Sequence, residues 1–446
     1  MPMDRLRDWL QENRITEVEC LVPDMTGNAR GKFIPADKFI KEDSRLPESI
    51  LVQTVTGDYT DIHDELVGPT DRDMMLQPDP DTMRLVPWAS DPTGQIIHDC
   101  YTREGELHPL ASRNVLKRVL ALYEAEGWKP VVAPEVEYYL IQKNVDPDGE
   151  LEPPIGRSGR REAGRQSYSI DAVNEFEPIV EEMYDFCEAQ GLEVDTLIHE
   201  SGLAQMEINF LHGDALNLAD QVFVFKRTMR ETALRHGIYA TFMAKPMEHE
   251  PGSALHIHQS IVDIETGHNI FSNDDGGEHE RFRHFIGGLQ HYTPGAIAFF
   301  APSVNSYRRF TPDIAAPINL HWGYENRTTG IRIPDSDRQS RRVENRFPGA
   351  DANPYLAIAV SLACGYLGMK QKIDATEPHE GDAFLEPIAV ARSLEQALGL
   401  LEDDTDLTNV LGAHFVKAYC AVKREEFEAF NKVISSWERE YLLLNV

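Results

Sequence analysis

The most regular alternation of charged and apolar positions lies in RRVENRF, residues 341–347. Arg342, Glu344 and Arg346 alternate with Val343, Asn345 and Phe347. Alternate side chains of an extended strand point to the same face. The pattern therefore predicts a strand on which two guanidinium groups flank one carboxylate. Such a face is typical either of an exposed strand with a ladder of salt bridges or of a site that holds anions and a metal together.

The first hundred residues have a different pattern. Residues 4–13 predict a short amphipathic helix, and apolar runs broken by Pro, Gly and Asp then predict a small, sheet-rich domain. Its strands are predicted at 17–24, 49–55, 81–88 and 94–101. A strong helix follows, with Ser112 as its predicted N-cap. We place the domain boundary near residue 105, which gives an N-terminal domain of residues 1–105 and a second domain of residues 106–446.

The second domain mixes strands and helices and predicts an α+β fold. Residues 144–167 are rich in Pro and Gly and predict a mobile loop. The chain ends in the apolar tail YLLLNV, which we expect to dock on another surface, such as that of a neighbouring subunit. Helices are predicted at 172–191, 214–237, about 354–372 and over the last 35 residues or so. Strands are predicted at 129–142, 238–246, 253–263, 318–324, 329–334 and 341–347.

Composition limits the class of protein. The chain has 446 residues and a formal net charge of −31, so its surface repels nucleic acid and anionic membranes and favours cationic partners, amines included. Five cysteines, far apart and never in a CxxC pair, are typical of reduced thiols in a cytoplasmic protein. The N-terminus lacks an apolar signal core, and no apolar run approaches the roughly 18 residues of a membrane span.

Carboxylates and histidines recur on the predicted strands. Glu135 and Glu137 are two residues apart, Glu200 and Glu207 flank a turn that contains glycine, and His256 and His258 share a strand face. With Glu344 they predict an oxygen-rich site with one imidazole, which suits Mg²⁺ or Mn²⁺ better than zinc or copper. For either histidine alone, a hydrogen-bonded position in the core is the competing interpretation.

Arginines supply the complementary charge. Besides Arg342 and Arg346, the sequence offers Arg308, Arg309, Arg327 and Arg332. Guanidinium groups bind carboxylates and phosphates in a bidentate manner, and together with divalent metal they stabilise phosphoryl transfer. The chain has no Walker A motif, and GRSGRREAGR predicts a basic exposed flap rather than a phosphate cradle.

Six segments, in order, resemble the successive motifs of the bacterial class of the glutamine synthetase superfamily. They are PEVEYYL, HESGLAQMEINF, GSALHIHQS, NSYRRF, NRTTGIRIP and RRVENRFPGADANPYLA. Two further segments, PPIGRSGRREAGRQSYSIDA and MEINFLHGDALNLADQVFVFKR, look closer to the γ-glutamylpolyamine synthetase-like branch. The resemblance implies a β-grasp N-terminal domain, a catalytic domain with a curved antiparallel half-barrel sheet flanked by helices, and hexameric rings (hexamer or dodecamer) with active sites between subunits.

The resemblance also implies roles for individual residues. Glu137, Glu200 and Glu207 would hold one metal ion, and Glu135, His256 and Glu344 a second, nucleotide-side ion. Glutamate would contact Gly252, His256, Arg309 and Arg346, and the catalytic set would be Arg309, Arg327, Glu344 and Arg346. The nucleotide would be bound by His258, Ser260, Arg327, Arg332 and Arg342.

The implied reaction is an ATP-dependent ligation with two or three Mg²⁺ or Mn²⁺ ions per site. ATP phosphorylates the γ-carboxylate of glutamate, and a neutral amine then displaces phosphate. The chain departs from glutamine synthetase where that enzyme handles ammonium: Ala315 replaces the flap glutamate, with Asp313 nearby, and Asp58 is a weak match for the ammonium-binding aspartate. Pro251 and Ala254 also depart from the family's NGSG motif.

These departures favour a glutamate–amine ligase that uses an organic amine, polyamine or monoamine. A glutamine synthetase that uses ammonia is the main alternative. A non-catalytic family member kept as a structural assembly is a third hypothesis, and a metal-dependent hydrolase, which would not need six arginines, is a fourth. The sequence does not identify the amine.

Overall fold

Two β-sheets organise the computed structural model, which describes residues 2–312 and 316–446. The first sheet is six-stranded, with order β2-β1-β6-β4-β3 and β5 paired to β6. Its β1 and β6 run parallel at the centre, and the other pairs are antiparallel. The strands are β1 (Glu17–Pro23), β2 (Ala29–Pro35), β3 (Ser44–Pro47), β4 (Asp73–Pro78), β5 (Arg84–Leu85) and β6 (Thr93–Tyr101).

The second sheet is nine-stranded, with order β13-β14-β15-β12-β7-β9-β8, and both β10 and β11 pair with β7. Only β13 and β14 pair in parallel among the described strands of this sheet. It is curved and nearly closed. The strands are β7 (Trp128–Gln142), β8 (Val194–His199), β9 (Gln205–Phe210), β10 (Gly213–Asp214), β11 (Ile238–Thr241), β12 (Leu255–Asp263), β13 (Trp322–Tyr324), β14 (Ile331–Ile333) and β15 (Val343–Asn345).

Helices pack around these sheets. In the N-terminal part they are α1 (Pro2–Glu12), α2 (Ala36–Phe39) and α3 (His63–Val67). In the rest of the chain they are α4 (Ser112–Ala125), α5 (Ile170–Asn174), α6 (Glu177–Gln190), α7 (Ala215–Arg235), α8 (Glu280–Phe300), α9 (Pro354–Gln371), α10 (Leu394–Asp403), α11 (Thr405–Leu411), α12 (Ala413–Asn431) and α13 (Ser436–Tyr441). The α+β class and the curved sheet with flanking helices are confirmed. No described helix has the length and apolarity needed to cross a membrane.

Helix α8 is the largest element that the hydrophobic pattern misses, because Gly287, Gly288 and Pro294 interrupt it. The two glycines serve packing. A Cβ placed on Gly288 would come within 2.3 Å of the carbonyl oxygen of Cys364, so α8 and α9 approach each other closely only because Gly288 has no side chain. Residues that act as helix breakers in isolation here permit a buried helix pair.

Several predicted strands are wrong or shortened, and those at 238–246, 318–324 and 341–347 extend only over Ile238–Thr241, Trp322–Tyr324 and Val343–Asn345. Residues 49–55 begin instead with a 3₁₀-helix, Glu48–Val52. The backbone N–H and the hydroxyl of Ser49 both donate to the carboxylate of Asp71, which draws this segment away from a sheet ladder. Within residues 81–88, only Arg84–Leu85 forms a strand, after a 3₁₀-helix at Pro80–Thr82.

Two helix starts also differ from the prediction. Ala111, not Ser112, is the N-cap of α4, and the hydroxyl of Ser112 donates to the carbonyl of Pro23 instead. The single helix predicted at 172–191 is divided into α5 and α6, because Pro178 in the first turn of α6 has no N–H to donate to the carbonyl of Asn174, so the helical hydrogen bonds do not continue from α5. The domain boundary near residue 105 stays a prediction.

Candidate active site

Strand register brings the predicted acidic residues into neighbouring positions. In the pairing of β7 with β9, Glu137 lies opposite Glu207, and in the pairing of β7 with β12, Glu135 lies opposite His256. Glu344 of β15 lies opposite His258 on one side and Arg332 on the other. Residues directly opposite one another in adjacent strands share a face. Five strands thus present their charged side chains to one region of the curved sheet.

One carboxylate cluster consists of Glu137, Glu200 and Glu207, whose oxygens lie within 4.8 Å of one another. Glu200 follows β8 directly, so the turn between β8 and β9 carries it to the end of the sheet where Glu207 and Glu137 lie. The structure therefore brings together the three residues predicted for the first metal ion.

A second cluster lies beside it. His256 Nδ1 is 3.4 Å from Glu135 and 3.8 Å from Glu344, so the residues predicted for the second ion are neighbours. The groups whose ligand atoms converge are Glu135 with His258 and Glu344, and Glu135 with Glu207 and His256. His258 also belongs to this cluster, since its Nε2 is 2.9 Å from Glu135. The same glutamate therefore meets two imidazoles, one more than the sequence pattern predicts.

The first cluster is electrostatically unbalanced. Burial, then repulsion from Glu200, raises the pKa of Glu137 to about 8. Burial and the charges of four other glutamates raise the pKa of Glu207 well above its usual range, and burial also raises the pKa of Glu200. Three carboxylates crowded in this way lack enough positive charge, and a divalent cation with oxygen ligands fits them.

Arginines hold the second cluster in its ionised form. Although burial opposes ionisation of Glu344, Arg346 and the two histidines lower its pKa to about 2. Arg346 donates to one oxygen of Glu344 at 2.5 Å, and Arg332 donates to the other at 2.7 Å. Burial, and then repulsion from Arg346, lowers the pKa of His256 to about 4, so this ring is neutral and able to act as a metal ligand near pH 7.

The clusters line two neighbouring clefts. One has a volume of about 490 Å³ and contains the first cluster together with Gly252, Arg309 and Arg346. The other has a volume of about 610 Å³ and is lined by His258, Ser260 and Arg342. Arg327 and Arg332, which the resemblance assigns to the nucleotide, line the first cleft instead of the second.

In the first cleft, buried Arg309 contacts both the backbone of residues 346–347 and Gly252. Its guanidinium donates to the carbonyls of Phe347 and Arg346, and burial lowers its pKa to about 10. A Cβ on Gly252 would lie 2.5 Å from the Arg309 side chain, so this glycine leaves the space that the arginine occupies. Arg327 is exposed at the rim of this cleft, whereas Arg309 and Arg346 are buried.

Gln205 and Glu162 are site neighbours that the sequence pattern does not single out. Gln205 donates to Glu137 at 3.3 Å and to the carbonyl of Gly252 at 3.0 Å. Glu162 accepts from the backbone N–H of Ala204 at 2.7 Å and lies 3.1 Å from His199 Nε2, so it pins the predicted loop 144–167 to the turn that carries Glu200. Gln205 could have been found, because it lies two residues before Glu207 on one strand face. Glu162 has no such signal. Asp313 and Ala315 lie outside the described residues.

A family model described as glutamine synthetase, catalytic domain, matches residues 109–442. The chain belongs to the glutamine synthetase family. It is an ATP-dependent ligase of that family, with the acidic clusters that such ligases use for divalent metal.

Several family members are similar over nearly the whole chain. γ-Glutamylputrescine synthetase PuuA of Escherichia coli (strain K12) is 33% identical, covering 96% of this chain and 92% of that protein. Glutamate–isopropylamine ligase of a Pseudomonas species is 31% identical, covering 97% and 96%. A glutamine synthetase of Halobacterium salinarum is 31% identical, covering 94% and 92%. The solved structure of apo GmaS without ligand has a TM-score of 0.84 at 29% identity, covering 98% of this chain and 99% of that one.

Proposed function

We propose that this glutamine synthetase-family ligase joins the γ-carboxylate of glutamate to an organic amine through a γ-glutamyl phosphate. Relatives named for putrescine and isopropylamine support an organic acceptor. The observation that carries the proposal is that carboxylates and arginines together line one cleft, able to take a small anionic substrate, and that this cleft meets at Glu135 a second cleft able to take a nucleotide. The altered flap sequence around Ala315 supports an acceptor larger than ammonia.

The residues divide by charge and position. Glu137, Glu200 and Glu207 would hold one divalent ion, and Glu135, His256 and Glu344, with His258 beside them, a second. Bound ions would neutralise the charge that the triphosphate and the glutamate carboxylate bring together. Buried Arg309 and Arg346 would bind the glutamate substrate. Arg327, Arg332 and Arg342 would face the phosphates, and His258 and Ser260 the rest of the nucleotide.

The amine must lose a proton before it attacks. An alkylammonium with a pKa of about 10.4 costs on the order of 4–5 kcal/mol to deprotonate at pH 7. The described cleft offers several carboxylates, of which Glu135 and Glu200 are partly exposed. An anionic cleft therefore attracts the ammonium form and also contains groups able to accept its proton.

An acceptor panel tests the proposal. The enzyme with ATP, glutamate and Mg²⁺ or Mn²⁺ is given ammonia, alkyl monoamines, arylalkyl amines, diamines or polyamines, and ADP release is measured with product mass. We expect kcat/KM for at least one organic amine to exceed that for ammonia by about tenfold or more. A preference for ammonia over every organic amine would establish the alternative, glutamine synthetase, which the Halobacterium relative supports.

Three further features complete the proposal. We place the domain boundary near residue 105, with the catalytic domain at residues 106–446. We expect the protein to act in the cytoplasm, as its reduced, buried cysteines favour. We also expect a homo-oligomer of hexameric rings, either one ring or two, with active sites between subunits.

A further inference from the structure

Among the described residues, only Glu135 and Asn209 line both clefts. The two clefts therefore meet at these two side chains. Glu135 already belongs to the second carboxylate cluster. Asn209 is not explained by the metal clusters, nor by the arginines.

Register gives Asn209 a defined place. It lies opposite Glu135 in the pairing of β9 with β7, and Glu135 lies opposite His256 in the pairing of β7 with β12. The three residues form one row across three strands, with Asn209 at the end nearest β8. Asn209 is also two residues after Glu207, so the side chains of both point to the same face of β9.

The amide of Asn209 has no hydrogen-bond partner among the described residues. Its Oδ1 is buried and accepts no hydrogen bond, and its Nδ2 donates none. Buried polar groups kept for structural reasons are nearly always paired, because an unpaired one is costly. Since the oxygen is buried while the residue lines both clefts, the NH₂ group is the polar part that faces them. An unpaired donor at this junction is suited to an anionic ligand that arrives with the substrates.

We propose that Asn209 is a catalytic residue whose side-chain NH₂ donates a hydrogen bond to the phosphoryl group during its transfer. This role rests on the proposed function. A γ-carboxylate oxygen of glutamate supplies the electron pair for the new bond to the γ-phosphorus. The bond from that phosphorus to the oxygen bridging the β-phosphate breaks, and its electron pair leaves with ADP. A fixed donor placed between the clefts stabilises the charge that spreads over the phosphoryl oxygens.

Asn209→Ala and Asn209→Asp test this role, with Asn217→Ala on the exposed first turn of α7 as the control. We expect kcat for ADP formation to fall by at least about tenfold in Asn209→Ala, with KM for ATP changed by less than about threefold. Asn209→Asp should fall at least as far, because a carboxylate cannot donate and repels the phosphoryl group. Asn217→Ala should match the wild type.

A binding measurement separates catalysis from structure. Calorimetry with ADP alone should give similar affinities for wild type and Asn209→Ala, whereas ADP with aluminium fluoride and glutamate, which mimics the transferring phosphoryl group, should bind at least about tenfold more weakly to the variant. Parallel losses of ADP affinity and of the unfolding midpoint would overturn the role, and so would wild-type kcat in either Asn209 variant. If the wild type released no ADP with any amine or with ammonia, the proposed function itself would have failed; weaker binding of the mimic would still support Asn209.

Discussion

At the scale of a single residue, Glu207 experiences the repulsion between the crowded carboxylates of the candidate site. It lies on β9 opposite Glu137, it is buried, and four other glutamates raise its pKa. The sequence alone shows that alternation along the strand places Glu207 on a face with polar neighbours. That Glu137 and Glu200 are the residues it meets follows from register and from the β8–β9 turn, which sequence alone does not specify.

Glu207→Gln should separate metal binding from stability. The substitution keeps the side-chain shape and removes one repelling charge, so we expect the metal-free protein to unfold at a higher temperature than the wild type. Saturating Mn²⁺ or Mg²⁺ should raise the unfolding midpoint of the wild type, since it binds the folded state, and raise that of the variant much less. Scanning fluorimetry with and without metal measures both, and exposed Glu265→Gln is the matched control. An undiminished metal-induced shift in Glu207→Gln would remove Glu207 from the metal site.

His98 of β6 predicts how stability depends on pH. Burial lowers its pKa from 6.5 to about 4, and its Nδ1 lies 3.0 Å from the carbonyl oxygen of Ile96. The unfolded chain therefore binds more protons than the folded chain between these values. The free energy of unfolding should fall as pH drops from about 6.5 towards 4, by up to about 3 kcal/mol from this residue.

Denaturant unfolding near neutral pH and at about pH 5 measures this loss. His98→Gln should make the protein less sensitive to acid, while exposed His268→Gln should leave the dependence as in the wild type. Equal losses in wild type and His98→Gln would contradict the assignment. Buried His108, whose pKa is likewise lowered to about 4 by burial, should keep part of the dependence in the variant.

At the scale of secondary-structure elements, Arg113 joins the N-terminal sheet to helices α4, α7 and α9. From α4 it donates to Asp99 of β6 at 2.5 Å, to Asp79 at 2.7 Å and to both oxygens of Asp220 of α7, at 2.9 and 2.8 Å. Tyr355 of α9 donates to the same Asp220. Arginine and aspartate are individually unremarkable in the sequence, and only the packing of four elements makes them one buried network.

Arg113→Met should be strongly destabilising, because it leaves buried carboxylates without their cation. We expect a loss of about 3–5 kcal/mol in the free energy of unfolding, measured by urea denaturation. Arg424→Met is the control, since Arg424 also makes a two-pronged contact, with Glu402, but at a half-exposed site, and should cost less than about 1 kcal/mol. Similar losses in the two variants would show that burial does not set the strength of the Arg113 network.

The helices and strands were predictable to different degrees for physical reasons. Long elements such as β7 and α7 follow from hydrophobic spacing, and α9 follows from a long apolar run that is buried on nearly all sides. Helix α8 does not, because its glycines and proline are favourable only against a specific neighbour. The strand expected at 49–55 fails because a distant carboxylate, Asp71, captures the backbone. Contacts between residues far apart in sequence decide such segments.

At the scale of the whole molecule, the C-terminus is the most apolar exposed segment described. Leu443, Leu444 and Val446 are 73%, 91% and 97% exposed, and Trp437 of α13 is 59% exposed. Apolar side chains presented in this way are typical of a surface that another subunit covers. In the ring assembly that we propose, a neighbouring subunit would cover this tail.

Deletion of residues 433–446 should lower the mass of the assembly while the remaining chain stays folded. Light scattering coupled to size exclusion measures the mass, and circular dichroism checks the fold. Val145→Ser, at an 88% exposed position in the loop 144–167, is a control that should not change the mass. An unchanged assembly after the deletion would show that the tail does not connect subunits.

The sequence by itself determined the class of fold, the family and the identity of most charged residues of the site, because alternation and motif order are local properties of the chain. Only the tertiary structure decided which carboxylates meet, that His258 joins the second cluster and that Arg327 and Arg332 line the cleft of the first. It also decided that Asn209 lines both clefts with no hydrogen-bond partner in the part of the chain that the structure describes. Those facts depend on strand register and on the curvature of the sheet. Both arise from the packing of segments far apart in sequence, so local patterns do not encode them.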